Sequence, residues 1–369
     1  MVTALFYALC VIVAIQAIYY LGIFSNFAFL SSKDTASRKE VPVSVIICAK
    51  NEADNLRENL PHFINQNFKK FELVLINDIS SDDTLEVMEE FAEKHGNIKI
   101  VNVAHNETFW GKKKYALVLG IKVTSYDYLV FSDADCKPAS NLWLQEIVNN
   151  FTADKTIVLG YGAYNRVKNS LLNALVRYET LLTAMQYFSL AKIGMPYMGV
   201  GRNLAYHKNE FVKHNGFANH MHVRSGDDDL FVNEAATKKN TAICFSPESF
   251  TSSTPKTTFI SWIAQKRRHI STAKYYKKKH KFTLGLFYVS QLLFWILAIT
   301  LLTFQYQFIY LGAIVGFRFL IQYLVIGFSA KKLQETRLIW LLPIYELLLL
   351  FFQFFIFIAN IISKPVDWK

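Results

Sequence analysis

The sequence predicts an α/β domain with a mostly parallel sheet, preceded by one apolar helix and followed by three more. Two observations predict this architecture. Between residues 43 and 161, short apolar runs alternate with amphipathic stretches of helix length, which is the pattern of βαβ units. On both sides of this region lie nearly uncharged apolar stretches that match the roughly 20 residues a helix needs to cross a bilayer.

The alternating region gives the order of its elements. The predicted strands are Val43–Ile47, Leu73–Ile76, Ile98–Val103, Tyr128–Phe131 and Ile157–Tyr161. The predicted helices are Asp54–Phe63, Asp82–Lys94, Lys112–Val123 and Leu142–Asn150. Ligands of parallel sheets bind beyond the carboxyl ends of the strands, so polar residues that follow these strands are candidate site residues.

Four apolar runs predict membrane spans, at Thr3–Leu30, Leu284–Thr303, Phe308–Phe328 and Leu338–Ile362. The first run has no Lys or Arg before it and is too long for the apolar core of a cleaved signal peptide. Basic residues mark the cytoplasmic side of a membrane, and they occur at Lys331, Lys332 and Arg337 between the last two runs. We therefore expect an integral protein of the cell (inner) membrane with its α/β domain in the cytoplasm.

The predicted organisation follows from these runs. It comprises an anchor at 1–30, a linker at 31–40, the α/β domain at 41–250, an interfacial segment at 251–283, three membrane helices at 284–362 and a tail at 363–369.

The positive net charge predicts contact with a membrane rather than with nucleic acid. The net charge is +11, but basic residues concentrate beside the spans, notably between Lys274 and Lys281, where anionic lipid headgroups are the simpler partner. Because no recognition motif accompanies the charge, we expect no nucleic-acid partner.

The four cysteines are widely spaced, which argues against a disulfide framework or a zinc site. The sequence lacks GxGxxG and P-loop motifs, so dinucleotide oxidoreductases and P-loop NTPases are disfavoured.

Polar and acidic residues follow three of the predicted strands. They are Lys50-Asn51-Glu52 after the first, the run from Asn77 to Asp82 after the second, and Ser132-Asp133-Ala134-Asp135 after the fourth. Hard divalent cations bind carboxylate and phosphate oxygens together, so Asp133 and Asp135 predict a metal that faces phosphates. Asp82 has a structural alternative, since it could cap the helix that follows.

These residues resemble the family 2 glycosyltransferases, in particular the membrane-bound branch of cellulose, hyaluronan and poly-N-acetylglucosamine synthases and ceramide glucosyltransferases. The segment from Val43 to Glu52 resembles the family's opening strand and nucleotide-binding turn, although Cys48 stands where proline is usual. The resemblance implies a GT-A-like fold and donor contacts at Ala49, Asn51 and Glu52.

Two further motifs resemble the donor side of that family. Asp78 resembles the acid that contacts uracil, and Gly111-Lys112 resembles a Gly-Lys step near the diphosphate. The segment from Ser132 to Asp135 is similar to the DxD motif. The resemblance then implies that Asp135 coordinates Mg²⁺ or Mn²⁺ and that Asp133 faces the donor ribose and sugar.

The acceptor side and the base follow later in the chain. Gly201–Tyr206 resembles the acceptor-side segment, which implies roles for Arg202 and Asn203. Gly226–Phe231 resembles the motif of the catalytic base, which is Asp228 in the alignment we favour and Asp227 in one shifted by a residue. The run from Gln265 to His269 is similar to the QxxRW motif, with histidine in place of tryptophan, and implies that Gln265 and Arg268 line the nucleotide pocket.

The resemblance implies an inverting, metal-dependent transfer of sugar from a UDP-sugar to a membrane-associated glycan or lipid. A processive polysaccharide synthase is one alternative, and an inactive membrane scaffold is another, although the acids whose loss would mark a scaffold are present. A glycoside hydrolase would also use paired acids but is disfavoured for a cytoplasmic domain. The donor sugar and the oligomeric state stay open.

For Arg318, which lies within a predicted span, we weigh contact with a lipid phosphate, contact with a growing glycan, and snorkelling of the side chain to the membrane surface. For Leu171–Leu190 a core helix is favoured over a membrane-facing one.

Overall fold

The structure is a computed structural model that describes residues 1–31, 38–104, 112–223 and 225–363. Lys112 is described through its backbone alone. Gly111 and the side chain of Lys112, for which the sequence predicts a diphosphate contact, therefore lie outside the described part of the chain.

A seven-stranded mixed sheet forms the centre of the α/β domain, in the order β3-β2-β1-β4-β8-β6-β9. Strands β1 to β4 pair in parallel, whereas β8 runs antiparallel to both β4 and β6. A second sheet has three short strands in the order β5-β10-β7. The bounds are β1 Val43–Ala49, β2 Phe71–Asn77, β3 Ile98–Asn102, β4 Tyr128–Asp133, β5 Cys136–Pro138, β6 Ile157–Leu159, β7 Gly162–Tyr164, β8 Leu204–His207, β9 Thr241–Ile243 and β10 Thr251–Ser253.

Twelve helices are described, four of them apolar and long enough to cross a membrane. The helices of the α/β domain and its border are α2 Ala53–Ile64, α3 Thr84–Lys94, α4 Lys112–Val123, α5 Trp143–Asn149, α6 Leu171–Lys192, α7 Lys208–Lys213, α8 Asp229–Ala235 and α9 Phe259–Thr272. The apolar helices are α1 Val2–Ala28, α10 Lys278–Thr303, α11 Phe308–Lys332 and α12 Leu342–Ile362, the last preceded by a short 3₁₀ turn from Thr336.

The sheet lies between two helical layers, which explains its continuous apolar strands. Val45 and Ile47 of β1 face a core shared with α2, α3 and α5. Ile46 points the opposite way, into a core shared with α4, α6, α8 and the membrane helices. A strand that is buried on both faces needs no polar alternation, because successive side chains enter two different cores.

All five predicted strands and all four predicted helices are present, with ends shifted by at most two residues. The sequence did not predict the short strands β5 and β7 to β10, most of them three residues long. Strands of three or four residues are too short to show an alternating pattern, so of the antiparallel part of the large sheet only β6 gave a signal.

Helix α6 confirms the favoured interpretation of Leu171–Leu190 as a core helix, since most of its side chains are buried. It lies between the sheet and the membrane helices. Its Phe188 ring packs on Phe27 of α1 at 5.0 Å, and Tyr178 packs on Tyr345 of α12 at 5.6 Å.

Three of the apolar helices, α1, α10 and α11, form a bundle around Leu9, Phe294, Leu301 and Leu311. Helix α12 packs mainly against α9 and α6 instead. Its Phe352 ring stacks on Phe259 of α9, with 5.4 Å between the ring centroids.

The three interpretations of Arg318 are wrong. Its side chain is 0% exposed and donates hydrogen bonds to Gln16 of α1, Gln322 of α11 and Glu346 of α12. A buried charge inside a bundle of apolar helices requires such a partner, and Glu346 provides it. Arg318 therefore joins helices rather than contacting lipid or glycan.

Candidate active site

The loops after β1 and β2 form one surface at the carboxyl edge of the sheet. Asn51 adopts a left-handed conformation with φ of 56°, which asparagine tolerates better than most residues. Its backbone N–H donates to Ser80 Oγ at 3.0 Å, and its Oδ1 accepts from the Ser81 N–H at 2.8 Å. These bonds hold the two loops together, so the position of Asn51 is fixed by both strands.

Asp82 has the structural role considered for it. Its carboxylate accepts hydrogen bonds from the N–H groups of Ala53, at 3.2 Å, and Thr84, at 3.1 Å, which belong to the first turns of α2 and α3. Glu52 is beside the same turn, and burial raises its pKa. Glu52 therefore lies at the base of the loops, with part of its surface in the cavity wall described below.

Ala49 and Asp78 are less exposed than the loop residues Asn51 and Glu52. The Asp78 N–H donates to the Ala49 carbonyl at 2.9 Å, and both residues are buried at the ends of β1 and β2. Neither belongs to the wall of the main cavity, so the structure does not by itself join them to the other predicted site residues.

Lys113 connects two acids from distant parts of the sequence. Its ammonium lies 2.9 Å from Asp133 Oδ1 and 3.3 Å from Asp227 Oδ2. Burial lowers its pKa, but the two carboxylates outweigh burial, and the pKa of Lys113 lies well above its ordinary value. Lys113 stays charged. The sequence pointed to Lys112 and not to Lys113, although the run Lys112-Lys113-Lys114 was the available signal.

The third lysine of that run, Lys114, binds the backbone of the segment that leads to Asp227. Lys114 is buried, and its ammonium donates to the carbonyls of His220, at 2.7 Å, and Val223, at 2.9 Å. Burial lowers its pKa to about 8. Helix α4 thus fixes the chain just before Asp227.

Asp133 and Asp135 form the candidate metal site together with Cys136. One possible ligand atom from each of the three residues lies within 4.8 Å of the others. Burial, followed by the nearby Asp133 carboxylate, raises the pKa of Asp135, which is what a site with excess negative charge shows. Burial also holds the pKa of the Cys136 thiol well above its usual range, so the two carboxylates are the available hard ligands.

Asp228 is the N-cap of α8 and lines the same cavity as Asp133 and Asp135. Its Oδ2 accepts from the Gly201 N–H at 2.7 Å, and its Oδ1 accepts from the Asp229 N–H at 2.7 Å. Burial, then the neighbouring carboxylates of Asp227 and Asp229, raise the pKa of Asp228 to about 7. A carboxylate with that pKa accepts a proton readily near neutral pH.

Asp229, the third acid of the run, is held by hydroxyl groups of the interfacial segment. Its Oδ2 accepts from Tyr276 OH at 2.6 Å and from Thr272 Oγ1 at 2.5 Å. Burial raises its pKa, and the two hydroxyls oppose that effect. This contact was missed, because nothing in the spacing of Thr272 and Tyr276 pairs them with Asp229.

The two predicted acceptor-side residues differ in position. Arg202 lies in the cavity wall, stacks 4.2 Å from the Tyr164 ring centroid and donates to the Gly162 carbonyl at 2.6 Å. Asn203 is 1% exposed, and its amide donates to the carbonyls of Tyr161 and Ser249, both at 2.8 Å. Asn203 is not part of the cavity wall, and its amide joins segments of the domain, so its predicted acceptor-side role stays a prediction.

Helix α9 brings its motif to the same cavity. Gln265, Arg268 and His269 all lie in the wall, and the predicted nucleotide contacts of Gln265 and Arg268 stay predictions. Burial, then the positive charges of Lys266 and Arg268, lower the pKa of His269 well below its usual value, so its imidazole is neutral. The His269 side chain is exposed in the cavity wall, at the position that the resembling family fills with tryptophan.

These residues share one cavity of about 1860 Å³. Its wall includes Asn51, Glu52, Lys113, Asp133, Asp135, Arg202, Asp227, Asp228, Gln265 and Arg268. A typical small-molecule pocket measures roughly 300–1,000 Å³, so this cavity has room for more than one ligand.

Comparisons with known proteins agree with this geometry. Residues 44–204 match the family model described as glycosyl transferase family 2. A poly-beta-1,6-N-acetyl-D-glucosamine synthase of Staphylococcus epidermidis is 33% identical over 93 residues, which cover 25% of this chain and 21% of that protein. A cholesterol galactosyltransferase of Borreliella burgdorferi is 31% identical over 117 residues, covering 32% of this chain and 31% of the relative. The chain thus spans less than a third of the length of these relatives.

One solved structure extends the likeness to the whole fold. The mannosyltransferase PcManGT from Pyrobaculum calidifontis, in complex with GDP-Man and Mn²⁺, superposes with a TM-score of 0.60 at 16% identity, covering 90% of this chain and 99% of that one. At this identity the likeness concerns the fold. The fold is of the GT-A-like class. Within that class, residues 44–204 match the family 2 glycosyltransferase model, and the relatives that the chain resembles are named as a synthase of a polysaccharide and a glycosyltransferase.

Proposed function

We propose that this protein transfers a sugar from a nucleoside diphosphate sugar to a membrane-associated acceptor, with inversion and with the help of a divalent metal. One observation carries the proposal: the cavity wall holds the Asp133 and Asp135 carboxylates, Asp228 and, between Asp133 and Asp227, the charged Lys113. The reaction would take place in the domain at 41–250, with the segment 251–283 at the surface of the cell membrane and the domain in the cytoplasm.

The donor side rests on residues that face the cavity. Asn51, Glu52, Gln265 and Arg268 would contact the nucleotide and its phosphates. The predicted roles of Ala49 and Asp78 at the base and of Lys112 at the diphosphate remain part of the proposal. UDP is the nucleotide that the sequence favours, and the complex of PcManGT with GDP-Man makes a GDP-sugar the second donor to test.

The site residues fit a hard divalent cation. Asp133 and Asp135 would hold Mg²⁺ or Mn²⁺, because both ions prefer carboxylate oxygens and the neutral Cys136 thiol does not compete for them. When bound, such an ion neutralises charge on the leaving diphosphate. Lys113 adds a fixed positive charge on the same side.

Asp228 would act as the base. Its carboxylate takes the proton of the acceptor hydroxyl while the acceptor oxygen bonds to the anomeric carbon. The bond from that carbon to the diphosphate oxygen breaks, and the nucleoside diphosphate leaves with the electron pair. Because attack and departure occur on opposite faces of the sugar, a single displacement inverts the anomeric configuration. The Gly201 N–H orients the base by binding Asp228 Oδ2.

The names of the relatives leave two acceptor classes, since one relative is named for a polysaccharide and the other for a sterol. The proposed acceptor, a membrane-associated glycan or lipid, includes both of these classes. The alternative of an inactive scaffold has no support in the site, where the acids of both motifs are present and adjacent to one cavity.

The test uses the full chain in lipid nanodiscs with radiolabelled UDP- and GDP-sugars, in Mn²⁺, Mg²⁺ or EDTA. Wild-type protein should transfer label only with metal, and Asp228→Asn and Asp135→Ala should lose transfer by roughly a hundredfold or more. Glu93→Gln, a change at an exposed acid of α3, is the matched control. Absence of transfer and of donor hydrolysis by the wild type with every donor would refute the proposal.

A further inference from the structure

We propose that the acceptor is a lipid with a hydroxyl head group, and that its hydrocarbon chain lies in a groove between α10 and α12. This inference rests on the proposed transfer function and names its acceptor. The groove is the part of the cavity lined by Gly285, Tyr288 and Leu292 of α10 and by Leu349, Ile356 and Phe357 of α12.

The groove is continuous with the catalytic residues. The same cavity that contains Asp228 and Arg202 runs past α9 and reaches these two membrane helices. A molecule bound in the groove can therefore present its head group to Asp228 without leaving the cavity.

The groove is open towards the side of the membrane helices. Three residues of the cavity wall at this end are also strongly exposed, with Val289 of α10 at 46%, Phe357 of α12 at 57% and Ile361 of α12 at 68%. Exposed aliphatic and aromatic side chains on helices of this length and composition face hydrocarbon rather than water. The opening therefore leads into the bilayer, which is the place from which a lipid would come.

The groove does not continue through the membrane. Leu292 is the last residue of α10 in its wall, and residues 293–303, about 16 Å of helix, do not line it. At this level Glu346 accepts hydrogen bonds from Trp295 and Arg318, which joins α10, α11 and α12. A polysaccharide synthase needs a polar path across the bilayer, and among the described residues none of α10 after Leu292 lines such a path.

The charges near Asp228 favour a neutral head group. Asp227, Asp228 and Asp229 are consecutive, and among the described residues only Asp227 forms an ion pair, with Lys113, whereas hydroxyl groups bind Asp229. A lipid phosphate at this place would face three consecutive carboxylates that share one ion pair. A hydroxyl instead gives its proton to Asp228 as its oxygen bonds to the anomeric carbon and the nucleoside diphosphate departs.

The test fills the groove without disturbing the fold. A Cβ at Gly285 would meet nothing within 4 Å, so Gly285→Leu projects into free space in the groove. Gly316 of α11 also has nothing within 4 Å of a Cβ and is exposed, but it does not line the cavity, so Gly316→Leu is the matched control. Nanodiscs carry diacylglycerol, ceramide, cholesterol or undecaprenyl phosphate, and label is measured after organic extraction.

We expect wild type and Gly316→Leu to place label in the organic phase, in a product that resists mild acid. Gly285→Leu should lose at least tenfold in this transfer while its binding of nucleoside diphosphate with Mn²⁺ is retained. Water-soluble polymeric product, equal transfer by Gly285→Leu, or an acid-labile glycosyl phosphate would each overturn the inference and leave the proposed function standing. Wild-type protein that neither transfers nor hydrolyses any donor would refute the proposed function itself.

Discussion

The ammonium group of Lys113 lies 2.9 Å from Oδ1 of Asp133, in the loop that would hold the metal. The same ammonium lies 3.3 Å from Asp227, next to the proposed base. One helix residue thus fixes the distance between the donor side and the acceptor side of the site.

Replacing Lys113 should therefore impair both sides of the site. Lys113→Met leaves two partly buried carboxylates without their shared cation, and we expect kcat/KM for the donor to fall by about 10- to 1,000-fold, since each buried charge loses a strong partner. Steady-state transfer with varied donor measures this. Lys112→Met is the informative comparison, because the sequence predicts the diphosphate contact at Lys112. A larger loss for Lys112→Met than for Lys113→Met would contradict a central role for Lys113.

The raised pKa of Asp228 predicts the pH dependence. The pKa is about 7, and a base acts in its deprotonated form, so kcat/KM should rise about tenfold per pH unit below 7 and level off above it. The profile is measured between pH 5 and 9 with saturating metal. Any residual activity of Asp228→Asn should lack this rise in kcat/KM between pH 5 and 7. A wild-type profile that is flat from pH 5 to 8 would argue against Asp228 as the base.

The Tyr276 hydroxyl should stabilise the contact between the α/β domain and the interfacial segment. Tyr276→Phe removes one of the two hydroxyl donors of the buried Asp229 carboxylate, which should lower the free energy of unfolding by about 1–3 kcal/mol. Thermal unfolding in a mild detergent measures the change. Tyr275→Phe alters an exposed neighbour and should unfold like the wild type. Equal shifts in the two variants would show that Tyr276 has no special role.

The buried pair Arg318 and Glu346 should show strong coupling. Arg318→Met leaves an unpaired Glu346 inside the helix bundle, at a cost of about 3–5 kcal/mol, whereas replacing both residues removes that penalty. Arg318→Met/Glu346→Leu should therefore be more stable to heat than Arg318→Met alone. The double-mutant cycle measures the coupling, and simple additivity of the two single changes would contradict it.

The parallel half of the fold was predictable because its strands are long enough to give a pattern. Strands β1 and β2 each have seven residues, and the polar residues that follow them mark one edge of the sheet. The antiparallel half has strands of three or four residues, such as β8 and β9, whose places depend on contacts distant in the sequence.

The site was predictable as a set of acids but not as a network. Asp133, Asp135, Asp227 and Asp228 lie in recognisable motifs, and the structure brings all four to one cavity. Their partners could not be found in the same way. Nothing in the run of three lysines marks Lys113 as the partner of Asp133 and Asp227, and Thr272 meets Asp229 across 43 residues.

The contact of Asp229 with Thr272 and Tyr276 also bears on how separable the parts of this enzyme are. Asp229 directly follows the proposed base, and both of its hydroxyl partners come from the segment 251–283, which we propose lies at the membrane surface. A chain cut before α9 would retain the acids but leave Asp229 buried without these donors. Detergents or lipids that shift this segment should then change the turnover number even when they leave donor affinity intact, so that the rate of transfer reports the physical state of the bilayer.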